Sequence, residues 1–298
     1  MPSIAVIIAT YNWPRALELV LWGYAVQTDP RFRVIIADDG SGPATAATIA
    51  RMRQETALDI THVWHEDIGW RKSEILNRAI LAAEDDYLIF TDGDTIPRDD
   101  FIAVHRRAAA RGVYSAGMTI RLPEGISAGI EAEDVLKQRV TDRSWLVEQG
   151  MRLGRHAIRF SRSYTTNRWL DWTTTSRRRF RGLNGAAWRD DLLRVNGFDM
   201  TMPYGGMDAE LGDRLDNLGL KHRRLRFRAM TVHLWHNRPW REDTLVEKNR
   251  AYRKVVRESG HVRTPMGISE LAPMLASSKP QHRDLSASGE PVRYAVAS

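Results

Sequence analysis

Apolar and polar positions along the first 120 residues follow two different periods. Five short apolar runs, at 4–9, 32–37, 60–65, 87–91 and 113–120, have the length and β-branched content of buried strands. Between them, segments 14–27, 43–57, 70–84 and 97–111 carry apolar residues at helical spacing. This alternation predicts an α/β fold with a doubly wound, mostly parallel sheet. Pro14, Pro43 and Pro97 stand where first helical turns would begin, with Asn12, Ser41 and Thr95 as caps just upstream.

After residue 120 the pattern loosens. It predicts a polar helix near 131–149, a short segment at 184–188, a helix over 207–218, a strand over 222–232 and a helix over 243–258. From about Pro265 the chain is rich in Ser, Ala and Pro and reads as a loosely attached tail. With 298 residues and 43% apolar content, one large α/β domain with a decorated C-terminal half is expected. No internal repeat or heptad pattern is visible.

Composition narrows the chemistry. Cys is absent, so a metal here must use carboxylate, imidazole or water, and a reducing cytoplasm fits. The longest apolar stretch, 4–9, is far short of the roughly 20 residues a bilayer demands, and the N-terminus lacks the form of a signal peptide. A soluble or peripheral protein is expected. The net charge of +7 hides an asymmetry: residues 1–100 hold 9 Lys/Arg against 16 Asp/Glu, leaving 35 against 21 for the rest. Much of the excess lies in 152–181, where arginines interleave with Phe160, Tyr164, Trp169, Trp172 and Phe180. Such a stretch suits nucleic acid, anionic headgroups, an acidic acceptor or simply a solvated face.

The acidic clusters carry the chemistry. Asp38-Asp39 and Asp92-Gly93-Asp94 each follow an expected strand, and open α/β sheets bind ligands outside the carboxyl ends of their strands. Negative charge gathered on one edge calls for a divalent cation and a polyphosphate. Glycine between two carboxylates lets the backbone approach a ligand while one oxygen reaches a sugar hydroxyl and the other a hard cation. Tyr11 can stack on a base, and Asp39 can accept from a base N3–H, although Asp-Gly also makes an ordinary turn. Asp208, in the first turn of the 207–218 helix, has its charged form favoured by the macrodipole, as a general base requires. His233 ends an expected strand, whereas His65, His105 and His222 read as structural.

In order, these pieces resemble glycosyltransferase family 2, the inverting enzymes on the GT-A fold, a nucleotide-binding, Rossmann-like sheet. The resemblance rests on the residues from Ile7 to Asn12, Gln27-Thr28, Ala37-Asp38-Asp39-Gly40-Ser41, Trp70-Arg71-Lys72-Ser73-Glu74-Ile75-Leu76-Asn77 and Asp92-Gly93-Asp94. Further along it rests on Asn184-Gly185-Ala186-Ala187-Trp188, Gly197-Phe198-Asp199 and Gly205-Gly206-Met207-Asp208. The later elements are most similar to the galactosyl- and chondroitin-type branches, whose shared motif is Trp-Gly-Gly-Glu-Asp. Here Tyr204 replaces the Trp and Met207 the Glu, which bears on sugar specificity and leaves the base in place.

The resemblance implies a nucleotide-sugar-binding half at 1–120, an acceptor-binding and catalytic half of the same domain at 121–262, and a flexible tail at 263–298. Thr10, Tyr11 and Asp39 would hold the uracil of a UDP-sugar, with Arg71 and Asn77 along the nucleotide. Asp92 would touch the ribose or donor sugar. Asp94 would bind Mn²⁺ or Mg²⁺, with His233 as a further ligand and His236 as the competing choice. Trp188, Gly206 and Met207 would meet donor or acceptor sugar, and Asp208 would be the general base. The expected reaction moves a sugar, with inversion, to a hydroxyl of a glycan or lipid-linked acceptor in bacterial surface polysaccharide or lipopolysaccharide synthesis. It would occur in the cytoplasm or at the inner face of the membrane, with 152–181 facing the acceptor or the lipid.

Two other classes compete. Asp92-Gly93-Asp94 with Gly212-Asp213-Arg214-Leu215-Asp216-Asn217 loosely imitates a haloacid-dehalogenase-like phosphatase, a reading that leaves Asp38-Asp39 and Asp208 unexplained. The basic second half suggests a non-enzymatic nucleic-acid binder, but an acidic crevice would repel a phosphate backbone, so no nucleic-acid partner is expected.

Overall fold

The computed structural model describes residues 1–175, 179–237 and 242–277. Arg177 and Arg178 of the basic stretch and positions 278–298 of the expected tail lie outside the described residues. The first half runs β1 (Ile4–Thr10), α1 (Pro14–Ala25), β2 (Arg33–Asp38), α2 (Pro43–Glu55), β3 (Ile60–Trp64), α3 (Lys72–Ala82), β4 (Tyr87–Asp92), β5 (Thr95–Pro97), α4 (Phe101–Ala108) and β6 (Val113–Arg121). Then follow α5 (Glu124–Gly129), α6 (Ala132–Leu136), α7 (Arg143–Glu148), α8 (Tyr164–Thr173), β7 (Gly185–Trp188), α9 (Arg189–Arg194), α10 (Met207–Asn217), β8 (Lys221–His233), α11 (Asp243–Ser259) and α12 (Ile268–Ser277).

Every residue of β1 is buried, because the strand lies inside a sheet covered on both faces. Ile4, Val6 and Ile8 pack with Leu17, Val20 and Tyr24 of α1, while Ala5, Ile7 and Ala9 pack with Ile75, Leu76 and Ile80 of α3. The strand order is β3-β2-β1-β4-β7-β6-β8-β5. Pairings among β1 to β4 are parallel, as is β6 with β8, whereas β7 enters antiparallel between β4 and β6 and β5 caps β8 antiparallel. The expected doubly wound, mostly parallel α/β sheet is therefore present, with a mixed second half.

Several local expectations are corrected. The helix near 131–149 is broken into α6, a 3₁₀ turn at Arg139–Thr141 and α7, because Gln138 takes a left-handed conformation at φ 57°. Asn12, Ser41 and Thr95 are not helix caps. The Asn12 side-chain oxygen accepts from Gly42 N at 2.8 Å and Ser41 Oγ accepts from Asn12 N at 2.8 Å, so the two residues brace neighbouring loops against each other. Pro97 ends β5, and α4 begins four residues later, at Phe101. The expected tail begins later than residue 263: Ile268 and Leu271 of α12 are buried, and Ser269 N donates to Asn196 Oδ1 at 2.8 Å.

The β6 and β8 ladder jumps register from Gly117 opposite Leu225 to Met118 opposite Met230. Asn184 fills that gap, donating to Ala229 O at 3.0 Å and Met118 O at 3.3 Å. A Cβ at Gly117 would lie 2.3 Å from Asn184 Oδ1, so only glycine fits. The displaced residues of β8 seat α8: Asp171 accepts from Phe227 N at 3.0 Å and from Arg228 Nε at 2.6 Å. Among the described residues no helix is long and apolar enough to cross a membrane.

The second half is pinned by a buried ion pair. Arg214 Nε meets Glu210 Oε1 at 2.6 Å, and the same guanidinium donates to Gly197 O at 2.7 Å and to Val195 O. Burial pushes the Glu210 carboxyl up and the guanidinium pulls it back. Arg214→Met leaves that carboxylate enclosed and unpaired, and we expect a loss of about 3–5 kcal/mol in urea unfolding.

Candidate active site

Parallel pairing brings the strand ends together. Ala9 is in register with Asp92 and Thr10 with Asp38, so the acidic residues after β2 and β4 flank the end of β1. The pairing of Thr95 with His233 adds the end of β8 to the same edge. A cleft of about 260 Å³ opens there, lined among others by Thr10, Tyr11, Asp39, Lys72, Asp92 and Asp94 from early in the chain and by Arg121, Leu183, Tyr204, His233 and His236 from further along it. Gly93 lets the chain pass close: its N–H donates to Ala9 O at 2.7 Å, and a Cβ would lie 2.9 Å from Thr10 Oγ1.

At one end, Asp94 Oδ2 lies 3.5 Å from His233 Nε2 and 3.3 Å from His236 Nε2. His233 Nδ1 donates to Leu234 O at 2.5 Å and His236 Nδ1 to Asn237 O at 2.8 Å. In its neutral form each ring therefore presents its Nε2 lone pair toward the carboxylate, as metal-ligating histidines do. One carboxylate oxygen and two imidazole nitrogens within 4.8 Å of one another make a donor set that fits a divalent cation. Burial pushes the Asp94 carboxyl up, and Asp92 adds to this against the pull of His233, His236 and Lys72. Both His233 and His236, the two candidate ligands, lie beside Asp94.

The middle of the cleft holds Lys72, whose Nζ donates to Asp92 Oδ1 at 2.6 Å. Burial works against its charge, but Asp92, Asp94 and Asp208 together raise its pKa and keep it an ammonium. Sequence reasoning passed over this residue in favour of Arg71. Arg71 is spent elsewhere, donating to Glu74 at 3.0 Å and to Glu66 O at 2.5 Å, and it is absent from the cleft walls.

At the far end, Asp39 Oδ1 meets His65 Nε2 at 2.7 Å and Oδ2 accepts from Arg71 N at 3.2 Å. His65, read from sequence as structural, thus orients a candidate binding carboxylate. Tyr11 is 53% exposed with its hydroxyl donating to Asp67 at 2.9 Å, which leaves a ring face toward the cleft mouth. Asp38 is taken up by His62 at 2.9 Å and Ser41 N at 2.8 Å.

The structure does not bring every candidate together. Asn77 is fully buried and exchanges both amide groups with the backbone of Phe198, at 2.8 and 2.7 Å. Trp188 lies opposite Tyr87, at the start of β4, so the antiparallel course of β7 carries it to the other edge of the sheet. There it donates to Ala110 O at 2.8 Å and stacks under Arg111. Met207 is buried against Ser73, and Gly206 caps α10 at φ 95°. Asp208 stands just outside the cleft walls: Gly182 N donates to its Oδ2 at 3.1 Å and Ala209 N to its Oδ1 at 2.8 Å, and its charge reaches Lys72. Asp213, needed by the phosphatase reading, is paired with Arg253 and Arg257 away from the cleft.

Residues 5–145 match the family model described as Glycosyl transferase family 2. Over 234 residues the chain is 30% identical to validoxylamine A glucosyltransferase of Streptomyces hygroscopicus subsp. jinggangensis (strain 5008), covering 74% of this chain and 53% of that protein. The counterpart from subsp. limoneus is 30% identical with 49% of its length covered, so the chain spans about half the length of the curated relatives it matches. Among solved structures, mannosyltransferase PcManGT from Pyrobaculum calidifontis in complex with GDP-Man and Mn²⁺ aligns with a TM-score of 0.54 at 17% identity, over 95% of this chain and 76% of that one. S. aureus TarS 1-349 in complex with UDP aligns with a TM-score of 0.54 at 14% identity, over 96% and 72%. At these identities the likeness is one of fold.

The Asp39 and His65 pair makes a pH-dependent contribution. Burial lowers the His65 pKa, yet the hydrogen bonds to Asp39 and Glu74 outweigh it and the net shift is upward. The stabilisation is therefore complete below the ordinary value of about 6.5 and fades as pH rises through the raised folded value. The gap in unfolding free energy between the wild type and His65→Gln should be widest near pH 5.5 and narrow above about pH 8 in paired urea titrations. A gap independent of pH would show that His65 is neutral throughout.

Proposed function

Residues 5–145 belong to glycosyl transferase family 2, and from that premise we propose that the chain is an inverting, metal-dependent glycosyltransferase using a UDP-sugar. The observation that carries this reading is a cleft lined by Asp39, Lys72 and Asp92 in which Asp94, His233 and His236 converge, with Asp208 near enough for its charge to act on Lys72. Asp94, His233 and His236 would hold Mn²⁺ or Mg²⁺, and two imidazoles favour manganese. When bound, the cation neutralises charge that builds on the donor's diphosphate.

The chain's own residues supply the rest. Asp39, oriented by His65, accepts the N3–H of uracil, while Tyr11 stacks on the base and Thr10 lines the same end. Lys72 donates its remaining ammonium protons to the diphosphate oxygens. Asp92, anchored by Lys72, meets a hydroxyl of the ribose or donor sugar. Asp208 takes the acceptor's hydroxyl proton as that oxygen attacks the anomeric carbon. The bond from that carbon to the diphosphate breaks with its electron pair leaving on UDP, so an α-linked donor gives a β-linked product. Acceptors are hydroxyls of a glycan or lipid-linked sugar in bacterial surface polysaccharide synthesis. The validoxylamine A named for the curated relatives belongs in the first acceptor panel.

Titration calorimetry with UDP, with and without Mn²⁺, tests the donor site. Micromolar, metal-dependent binding is expected, and Asp94→Ala should abolish the metal dependence; absence of UDP binding in both conditions would remove the uridine assignment. Asp208→Asn should bind UDP like the wild type while kcat falls about 10²- to 10⁴-fold. Normal turnover by that variant would remove the base assignment. Lys72→Met should weaken UDP binding more than uridine binding, since only the former presents the diphosphate.

A further inference from the structure

Away from the cleft, α8 carries an aromatic surface that nothing among the described residues covers. Its inward side is fully used: Asn167, Leu170 and Asp171 are buried, and Asp171 locks onto Phe227 and Arg228 of β8. Its outward side shows Trp169 and Trp172, three residues apart on one helix face, 59% and 78% exposed. Indole surface left in water forgoes the gain that burial would bring, so a pair of exposed tryptophans signals a partner.

We infer that this face of α8 docks on a membrane surface bearing anionic headgroups. The side-chain chemistry selects that occupant. The exposed positions of α8 are Tyr164, Thr165, Thr166, Arg168, Trp169, Trp172 and Thr173, with no aliphatic residue among them. Indole rings, hydroxyls and guanidinium groups together suit the headgroup layer of a membrane. Charge agrees: the helix's single acid, Asp171, is buried and neutralised by Arg228. Arg168 is exposed beside the tryptophans, and the guanidinium group of Arg107 lies 5.5 Å from the Tyr164 ring at the other end. The surface is cationic where it is aromatic. Ten residues are far too few to span a bilayer, so the helix lies at the interface. The inference is independent of the donor, and it gives a catalytic chain a way to meet acceptors held in lipid.

Sedimentation of the full chain with phosphatidylcholine vesicles, with and without phosphatidylglycerol, reads the contact directly. Binding to the anionic vesicles, weakened by salt, is expected, and brominated lipid should quench tryptophan emission. The double variant Trp169→Ala/Trp172→Ala should lose about tenfold in vesicle affinity and the quenching with it, while near-ultraviolet circular dichroism shows it folded. Arg168→Ala should reduce binding to anionic vesicles alone. Failure of the wild type to sediment with anionic vesicles would overturn the inference. So would equal binding by the double variant, or an emission change produced by soluble glycan and not by vesicles, which would mark a carbohydrate surface.

Discussion

The structure turns on Lys72. Carboxylates from β2, β4 and α10 gather at one sheet edge, and like charges about 4 Å apart repel by roughly 4 kcal/mol at an effective dielectric of 20. Part of that repulsion must be met by the chain itself before any ligand arrives. The ammonium at 2.6 Å from Asp92, within reach of the charges of Asp94 and Asp208, is the chain's own counter-ion. It also explains why the cleft can fold open and still be ready for a polyanion: a cation already faces the place where phosphate oxygens would lie.

The path of β8 ties the two halves of the molecule together. It pairs with β6 on one side and β5 on the other, and its excursion between Leu225 and Met230 both accommodates Asn184 and grips α8 through Asp171. The residue after it, Leu234, donates to Asp94 O at 2.9 Å. A strand from the second half therefore fixes the position of an acidic residue from the first. Packing of α8, closure of the sheet and the geometry of the metal-binding cluster are consequences of one backbone route.

Much of this was legible in the sequence because strands buried on both faces leave continuous apolar runs, and β1, β2 and β4 each end in a polar residue, Thr10, Asp38 and Asp92, at one edge of the sheet. The ligand edge could thus be read from the positions of Asp39, Asp92 and Asp94. Direction could not. Four residues of β7 look alike in either orientation, so Trp188 was assigned to the sugar when its antiparallel course takes it to the opposite edge. Lys72 was hidden by a different geometry: Arg71 is the non-helical residue before α3 and its side chain turns to Glu74 and Glu66, whereas Lys72 opens the helix and reaches Asp92. Asn77, a polar side chain on a buried face, serves the backbone of Phe198, a partner 121 residues away that no local pattern announces.

The cluster of Asp94, His233 and His236 shows why long-range pairing matters for chemistry. Its members are separated by about 140 positions, yet the β5 and β8 ladder, the Leu234 to Asp94 hydrogen bond and the two Nδ1 to carbonyl bonds set every donor before a cation arrives. A site organised in this way loses little conformational freedom on binding, and the freedom it would otherwise surrender remains available as affinity. On the proposed reading the same preorganisation would select among metals: two imidazoles held at fixed spacing suit a cation that accepts nitrogen better than one that needs a shell of six oxygens.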